Sequence, residues 1–305
     1  MFDVIVIGGS FAGLTAALQL GRASRSVLVV DAGSPRNRTS AGAHGVAGWD
    51  GVAPGEILAR FRDDLGRYPT LQSRNGEVIR VEGSRDSFVV CLADGAAIAA
   101  RRIILAHGVH DILPDVPGLG DGWGTRVLHC PYCHGYEVRG EPLAVLAVHP
   151  LSAHQALMLR ADWSTSITFF TGGMDGFDFD ALERAGVRVD ARGLKAAQPD
   201  DHGISVVLSD GSSQQYAAMF VGPRTSLAGS PAEQLGCATA EGPMGNFVRV
   251  GPMAQTTIPG VFAAGDLARP APNINFALAD GAQAGIASHA SLLSSDLVPQ
   301  LEIAS

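Results

Sequence analysis

Cysteine is scarce in this sequence, with four in 305 residues. That excludes a disulphide-stapled secreted scaffold, which needs a denser framework. Charge is thin too, at 17% of residues, and the formal balance is −8. No basic run offsets it, so neither nucleic acid nor an anionic membrane surface is expected as a partner. No apolar run approaches the roughly 20 residues that span a bilayer. No segment repeats at the period of about 20–50 residues that marks a solenoid. No leader is read ahead of Met1-Phe2-Asp3, which runs straight into a strand, and a cytoplasmic protein is expected. What is there is apolar: 46% of residues are hydrophobic, enough for two ordered domains with real cores.

Two of the cysteines are separated by only two residues, in Cys130-Pro131-Tyr132-Cys133-His134-Gly135-Tyr136-Glu137. Such a pair can close a small disulphide or open to a dithiol, and the thiolate is its reactive form. His134 follows directly and titrates where thiols exchange protons. Three readings compete: half a zinc site, a structural disulphide, or a redox pair. Structural zinc wants four ligands, and Cys91 and Cys237 stand alone. His129 and His134 could add only a cramped local set. A structural disulphide does not suit a cytosolic chain. The redox pair is the favoured reading, with no metal expected.

Asp3–Ile7 (DVIVI) is a continuous apolar run of the kind a parallel sheet buries on both faces. Gly8-Gly9-Ser10-Phe11-Ala12-Gly13 follows, then a helical pattern, then Val27–Val30 and Asp31. This order of strand, glycine-rich turn, helix, strand and acid is the dinucleotide fingerprint in its required context. Gly8 allows the tight turn and Gly13 lets the helix pack against the strand. The helix start offers N–H groups to a pyrophosphate. Asp31, with Ala32 beside it, stands where an acid binds a ribose hydroxyl. Ser10 departs from the usual glycine but is small.

Gly260-Val261-Phe262-Ala263-Ala264-Gly265-Asp266 resembles the second flavin signature of two-dinucleotide-domain flavoproteins, whose Asp binds the ribityl chain. Ile103–Gly108 resembles the strand of that family that returns before the second domain, with His107 where Thr is common. The resemblance implies FAD, with Ala106, Gly108, Gly265 and Asp266 among its contacts. Pro272-Asn273-Ile274-Asn275 leads into a helix, Phe276–Leu293, whose start in this family points at the flavin ring, so Asn275 and Phe276 are expected among the contacts. The helix dipole can stabilise an anionic reduced flavin. The loop holding Arg36, Asn37, Arg38 and His44 is expected beside the cofactor, against the plainer reading of a solvated loop with Trp49 as a packing anchor.

Gly55–Leu65 reads as a core helix. Gly76–Arg102 reads as short antiparallel strands with turns at Glu82-Gly83-Ser84 and Asp94-Gly95. Cys91 is expected to be a buried small hydrophobe and Cys237 structural. Pro114 and Pro117 mark a linker into a second domain. There, Pro142–Val148, Ser152–Ala161 and Ile167–Phe170 look like another dinucleotide unit. Its turn, however, reads Val148-His149-Pro150-Leu151-Ser152-Ala153. Proline removes a donor, and the side chains block a pyrophosphate. Thr171-Gly172-Gly173-Met174 brings no arginine for a 2′-phosphate. The nicotinamide site is expected to be lost from a fold that remains.

Taken in order, these motifs resemble the thioredoxin reductase-like flavoproteins over nearly the whole chain. The resemblance implies an α/β protein of two Rossmann-like domains, the first split by insertion of the second. The FAD domain is expected at 1–112 and 245–305 and the CxxC domain at 113–244. His134, in place of the usual acid after the second cysteine, resembles the dithiol oxidases that close gliotoxin- and holomycin-type disulphides. That implies catalytic Cys130, Cys133 and His134, with Cys133 nearer the flavin. It also implies a small-molecule dithiol substrate, dioxygen as acceptor with hydrogen peroxide as product, and a homodimer. The alternatives are a thioredoxin or disulphide reductase using NADPH or another donor, and a flavin-bound redox sensor without turnover.

Overall fold

Val4 to Ile7 are buried on both faces of their strand, because the parallel sheet that holds them is covered on both sides. The computed structural model describes residues 1–296. The end of the expected segment 245–305, residues 297–305, lies outside the described residues. In chain order the elements begin with β1 (Phe2–Ile7), α1 (Phe11–Arg22), β2 (Val27–Asp31) and α2 (Pro54–Leu65). Next come β3 (Leu71–Asn75), β4 (Val78–Ser84), β5 (Ser87–Leu92), β6 (Ala97–Leu105) and β7 (Val109–Ile112). Then follow β8 (Val127–Leu128), α3 (Pro131–His134), β9 (Leu143–Leu146), α4 (Ser152–Asp162), β10 (Ile167–Phe170), α5 (Phe179–Arg184) and β11 (Val187–Asp190). The strands β12 (Leu194–Pro199), β13 (Ile204–Leu208), β14 (Ser213–Tyr216), β15 (Ala218–Val221) and β16 (Arg224–Leu227) lead to α6 (Pro231–Gln234). The last elements are β17 (Thr239–Glu241), β18 (Asn246–Val248), β19 (Val261–Ala263), a 3-10 turn at Asp266–Ala268 and α7 (Ile274–Asp296).

These elements form two units. The first holds Met1–Arg36, Gly55–His110 and the chain from Ser226 on; the second holds Asn37–Pro54 and Asp111–Thr225. Residues 226–244, expected in the inserted domain, therefore belong to the first unit, and residues 37–54, expected in the first, belong to the second. The physical reason is burial. Ala232, Cys237 and Val248 sit in one core with Ile5, Leu28, Phe88 and Ile103.

The first unit is built on a seven-stranded sheet ordered β3-β2-β1-β6-β5-β4, with β19 also paired to β6. β1, β2, β3, β6 and β19 run parallel, while β5 pairs antiparallel with β6 and β4 antiparallel with β5. The expected turn at Glu82–Ser84 falls later, at Arg85–Asp86, and Gly83 lies inside β4 opposite Phe88. The second unit has a five-stranded parallel sheet, β11-β10-β9-β15-β8, and a three-stranded sheet, β12-β13-β14. The Pro114–Gly124 stretch expected as a linker is partly core there, with Leu119 fully buried. No helix among the described residues is long and apolar enough to cross a membrane.

Candidate active site and cofactor cradle

In the first unit, β1 is followed directly by Gly8, whose φ of +107° favours glycine. A side chain at Gly13 would meet the Gly8 carbonyl at 1.8 Å, so α1 starts directly against the turn. Ser10 is the N-cap of α1, and no side chain caps it. The first-turn residues Phe11, Ala12 and Gly13 are buried, with the Phe11 ring edge-on to Phe61 at 6.1 Å. An uncapped N-terminus of this kind is a ready anion site. The Asp31 carboxylate accepts the Gly9 N–H at 3.1 Å through Oδ1, and its Oδ2 lies 3.7 Å from Arg62. It thus fixes the turn as well as standing at the end of β2. Ala32 beyond it is exposed.

The far end of the chain converges on the same place. A Cβ on Gly265 would lie 3.0 Å from that of Ala12, and Asp266 pairs with Arg36 at 3.0 Å. Asn273 Oδ1 accepts the Asn275 N–H at the start of α7, and Phe276 is half exposed under the Arg269 guanidinium. Ala106 and Gly108 flank His107 at the end of β6. Both ring nitrogens of His107 are shielded from solvent and find no hydrogen-bond partner among the described residues. Burial, with a smaller effect of His110, pushes its pKa down to about 4. A turn shaped for close approach, an uncapped helix start, an acid on either side and an orphaned buried imidazole together fit a dinucleotide such as FAD. Sequence reasoning does not single out His107 as a site residue; its only signal there is that it replaces a smaller residue.

In the second unit, Cys130 is the extended N-cap of the short helix α3 and Pro131 begins it, fixing φ where a helix needs no donor. The Cys130 carbonyl accepts from both Cys133 and His134 N–H, at 3.1 and 3.2 Å. Gln155 on α4 donates to the His129 carbonyl at 2.6 Å and so anchors the approach to the pair. Both cysteines are half-buried. Tyr132 stacks edge-on against Trp163 at 5.7 Å. His134 is half-buried, and its pKa is held below the ordinary value by burial, then by the nearby His44; Glu137 opposes this. A neutral imidazole beside two cysteines can accept a thiol proton at neutral pH.

Asn37, Arg38 and His44, expected beside the cofactor, lie in this second unit. His44 faces His134, with ring centroids 6.4 Å apart and planes at 83°. Its Nε2 is 3.6 Å from Glu137 and its Nδ1 3.7 Å from Asp50. The contact joins residues far apart in sequence, and nothing local announces it.

The β9–α4 turn is also in this unit. Ser152 is fully buried, and its Oγ accepts the N–H groups of Val148 and His149 at 3.1 and 3.4 Å. His149 Nδ1 accepts the Leu151 N–H at 3.1 Å. The ring turns inward, with Nε2 only 2.6 Å from where a Gly222 side chain would begin. After β10, the Thr171 Oγ1 accepts the Gly173 N–H. Arg188 binds Thr168 and Tyr216, and Arg192 pairs with Asp190 and Asp210.

The parallel sheets, the glycine turn and the paired cysteines define a flavoprotein disulphide oxidoreductase. The chain matches the pyridine nucleotide-disulphide oxidoreductase family over residues 2–148. It is 34% identical to thioredoxin reductase sirT of Leptosphaeria maculans, across 99% of this chain and 98% of that one. Among solved structures, an oxidoreductase from Agrobacterium tumefaciens is 47% identical with a TM-score of 0.90, covering 96% of this chain and 98% of its own. HlmI is 36% identical, also at 0.90, covering 98% and 94%. The chain belongs to the thioredoxin reductase-like pyridine nucleotide-disulphide oxidoreductases.

Proposed function

We propose that this protein is an FAD-dependent oxidase of small-molecule dithiols, working through Cys130 and Cys133 with dioxygen as the final acceptor. The observation that carries the reading is the β9–α4 turn. Its Val148 and His149 amides are bonded to Ser152 and its Leu151 amide to His149, leaving little for a nicotinamide pyrophosphate. Pro150 has no N–H to offer. Sulfur is then the reductant.

His134 accepts a proton from a substrate thiol. The thiolate attacks the Cys130 sulfur of the oxidised pair, and the Cys133 sulfur leaves as thiolate. The second substrate thiol, deprotonated in turn, attacks the substrate–Cys130 bond. The product leaves as a disulphide and the enzyme holds the dithiol. Bound FAD would supply the two-electron acceptor that restores the pair and passes the electrons to dioxygen as hydrogen peroxide. Gly8–Gly13, Asp31, Ala32, Arg36, Ala106, Gly108, Gly265, Asp266, Asn275 and Phe276, all in the first unit, are the residues we assign to holding it, with His107 added from its orphaned ring.

The name thioredoxin reductase borne by sirT supports a second reading, reduction of a disulphide at the expense of NADPH. Oxygen uptake with dithiothreitol, with and without NADPH, separates the two. The oxidase consumes oxygen with the dithiol alone, yields one peroxide per oxygen, and falls to background in Cys133→Ser. Millisecond bleaching of the flavin by NADPH would overturn the proposal, as would a Cys133→Ser protein that consumes oxygen at the parent rate.

A further inference from the structure

The proposed chemistry leaves His134 with a proton to pass on, and the loop from the start of the chain supplies a neighbour for it. Ala43 and Val52 pair across the loop, with N–H to carbonyl distances of 2.9 Å from Ala43 to Val52 and 2.8 Å from Gly51 back to Ala43. Ala43 and Val46 are buried. The Asp50 carboxylate accepts the Gly45 N–H at 2.8 Å, which fixes the segment that carries His44. His44 is thus held on a closed loop rather than a loose one. Its two nitrogens face Asp50 and Glu137, whose side chains are 71% and 41% exposed, whereas His44 itself is 23% exposed. The carboxylates therefore reach solvent while the two imidazoles stay largely inside. His44 and Glu137 stand near His134, beside Cys130 and Cys133 on its own segment, and Asp50, Glu137 and His134 stand near His44.

We infer that His44, lying between Asp50 and Glu137, is a positioning residue for His134 that orients its ring and couples its proton to two solvent-reaching carboxylates. This rests on the proposed function for the origin of that proton. The balance is simple. Exchange moves one electron pair from two substrate sulfurs to the enzyme disulphide and releases two protons. Each proton taken at His134 ends on an enzyme thiol or leaves to solvent, and the exposed carboxylates beside His44 offer it a way out. A charge on His44 also opposes one on His134, while the Glu137 carboxylate favours it.

The two neighbours therefore act with opposite signs, which a merely structural role would not produce. The test is the titration of the His134 ring followed by NMR in the FAD-loaded protein, with dithiothreitol turnover measured across pH. In His44→Phe the His134 midpoint rises by about half a unit or more, and in Glu137→Gln it falls by a similar amount. The acid limb of kcat moves the same way in each variant, and kcat in His44→Phe drops by about 10-fold or more with KM little changed. His44→Gln, which keeps polarity without charge, reports the same upward shift should the Phe variant fold poorly. Shifts of the same sign in both variants, or none in either, overturn the inference. His134→Asn is the separate control: wild-type turnover there would remove the assigned base, while the resting-state titrations still judge His44.

Discussion

His107 and His134 are both held towards the neutral form by burial, with different consequences. His107 has a pKa of about 4 in the folded chain, against 6.5 in the open. On acidification the unfolded chain takes up its proton first, so folding is favoured fully above pH 6.5 and loses ground as pH falls towards 4. The difference corresponds to about 3 kcal/mol at most. In His107→Gln this contribution vanishes. Unfolding free energies from urea titrations at about pH 7 and about pH 4.5 then differ less than in the parent, by about 2–3 kcal/mol, and FAD binds more weakly. An unchanged pH slope would remove the role given to this ring. His134 is legible because it adjoins the CxxC in sequence. His44 is not, because its partner lies far along the chain and only the tertiary fold brings them together. Cys91 shows the limit of a pattern-based reading. Its strand pattern predicts burial, but it sits half-exposed where Arg80 donates to its sulfur at 3.6 Å.

At the scale of elements, the β9–α4 turn uses one polar side chain where glycines and a ligand serve elsewhere. Ser152→Ala strips two backbone amides of their acceptor in a buried place, a loss of about 1–3 kcal/mol. Denaturant titration reads it as a lower midpoint at constant slope. The vacancy does not restore nicotinamide binding, since His149 still fills the space beside Gly222 and Pro150 still lacks a donor. Under the proposed function, NADPH is expected to leave the flavin oxidised in variant and parent alike, which stopped-flow absorbance checks. The sequence reveals the loss of the glycines but not what satisfies the amides, which depends on the rotamer of one buried serine. Apolar strands such as β1, β9 and β10 are plain for the same reason they are stable: continuous burial leaves a continuous apolar run. β3 escapes a sequence reading because Leu71–Asn75 reads LQSRN, with little strand propensity, and forms only by parallel pairing to the edge of β2.

At the scale of the whole chain, the order of the motifs announces a split domain with an insert, but a boundary is set by which residues share a core. Residues 226–244 carry no nucleotide signature, so nothing in the sequence ties them to the first unit. Yet Gln234 Oε1 accepts the Val81 N–H at 2.8 Å, its Nε2 donates to the Ile79 carbonyl at 2.9 Å, and Ala232 and Cys237 are buried against the sheet. The two ends of the insert meet, since the Ala228 N–H donates to the Gly108 carbonyl at 3.0 Å. Chain-closure cost grows slowly with linker length, so a short Gly/Ser link across this gap is tolerable. Two deletions then part company. Joining residue 110 to 226, with 37–54 replaced by a similar link, leaves a chain that unfolds cooperatively on heating and retains its helix and strand content by circular dichroism. Joining 112 to 245 removes the α6 segment and exposes β4 and the apolar surface around Phe88, and that chain fails to fold. Cooperative melting of the second deletion variant, or collapse of the first alone, would show that the core does not run as burial indicates.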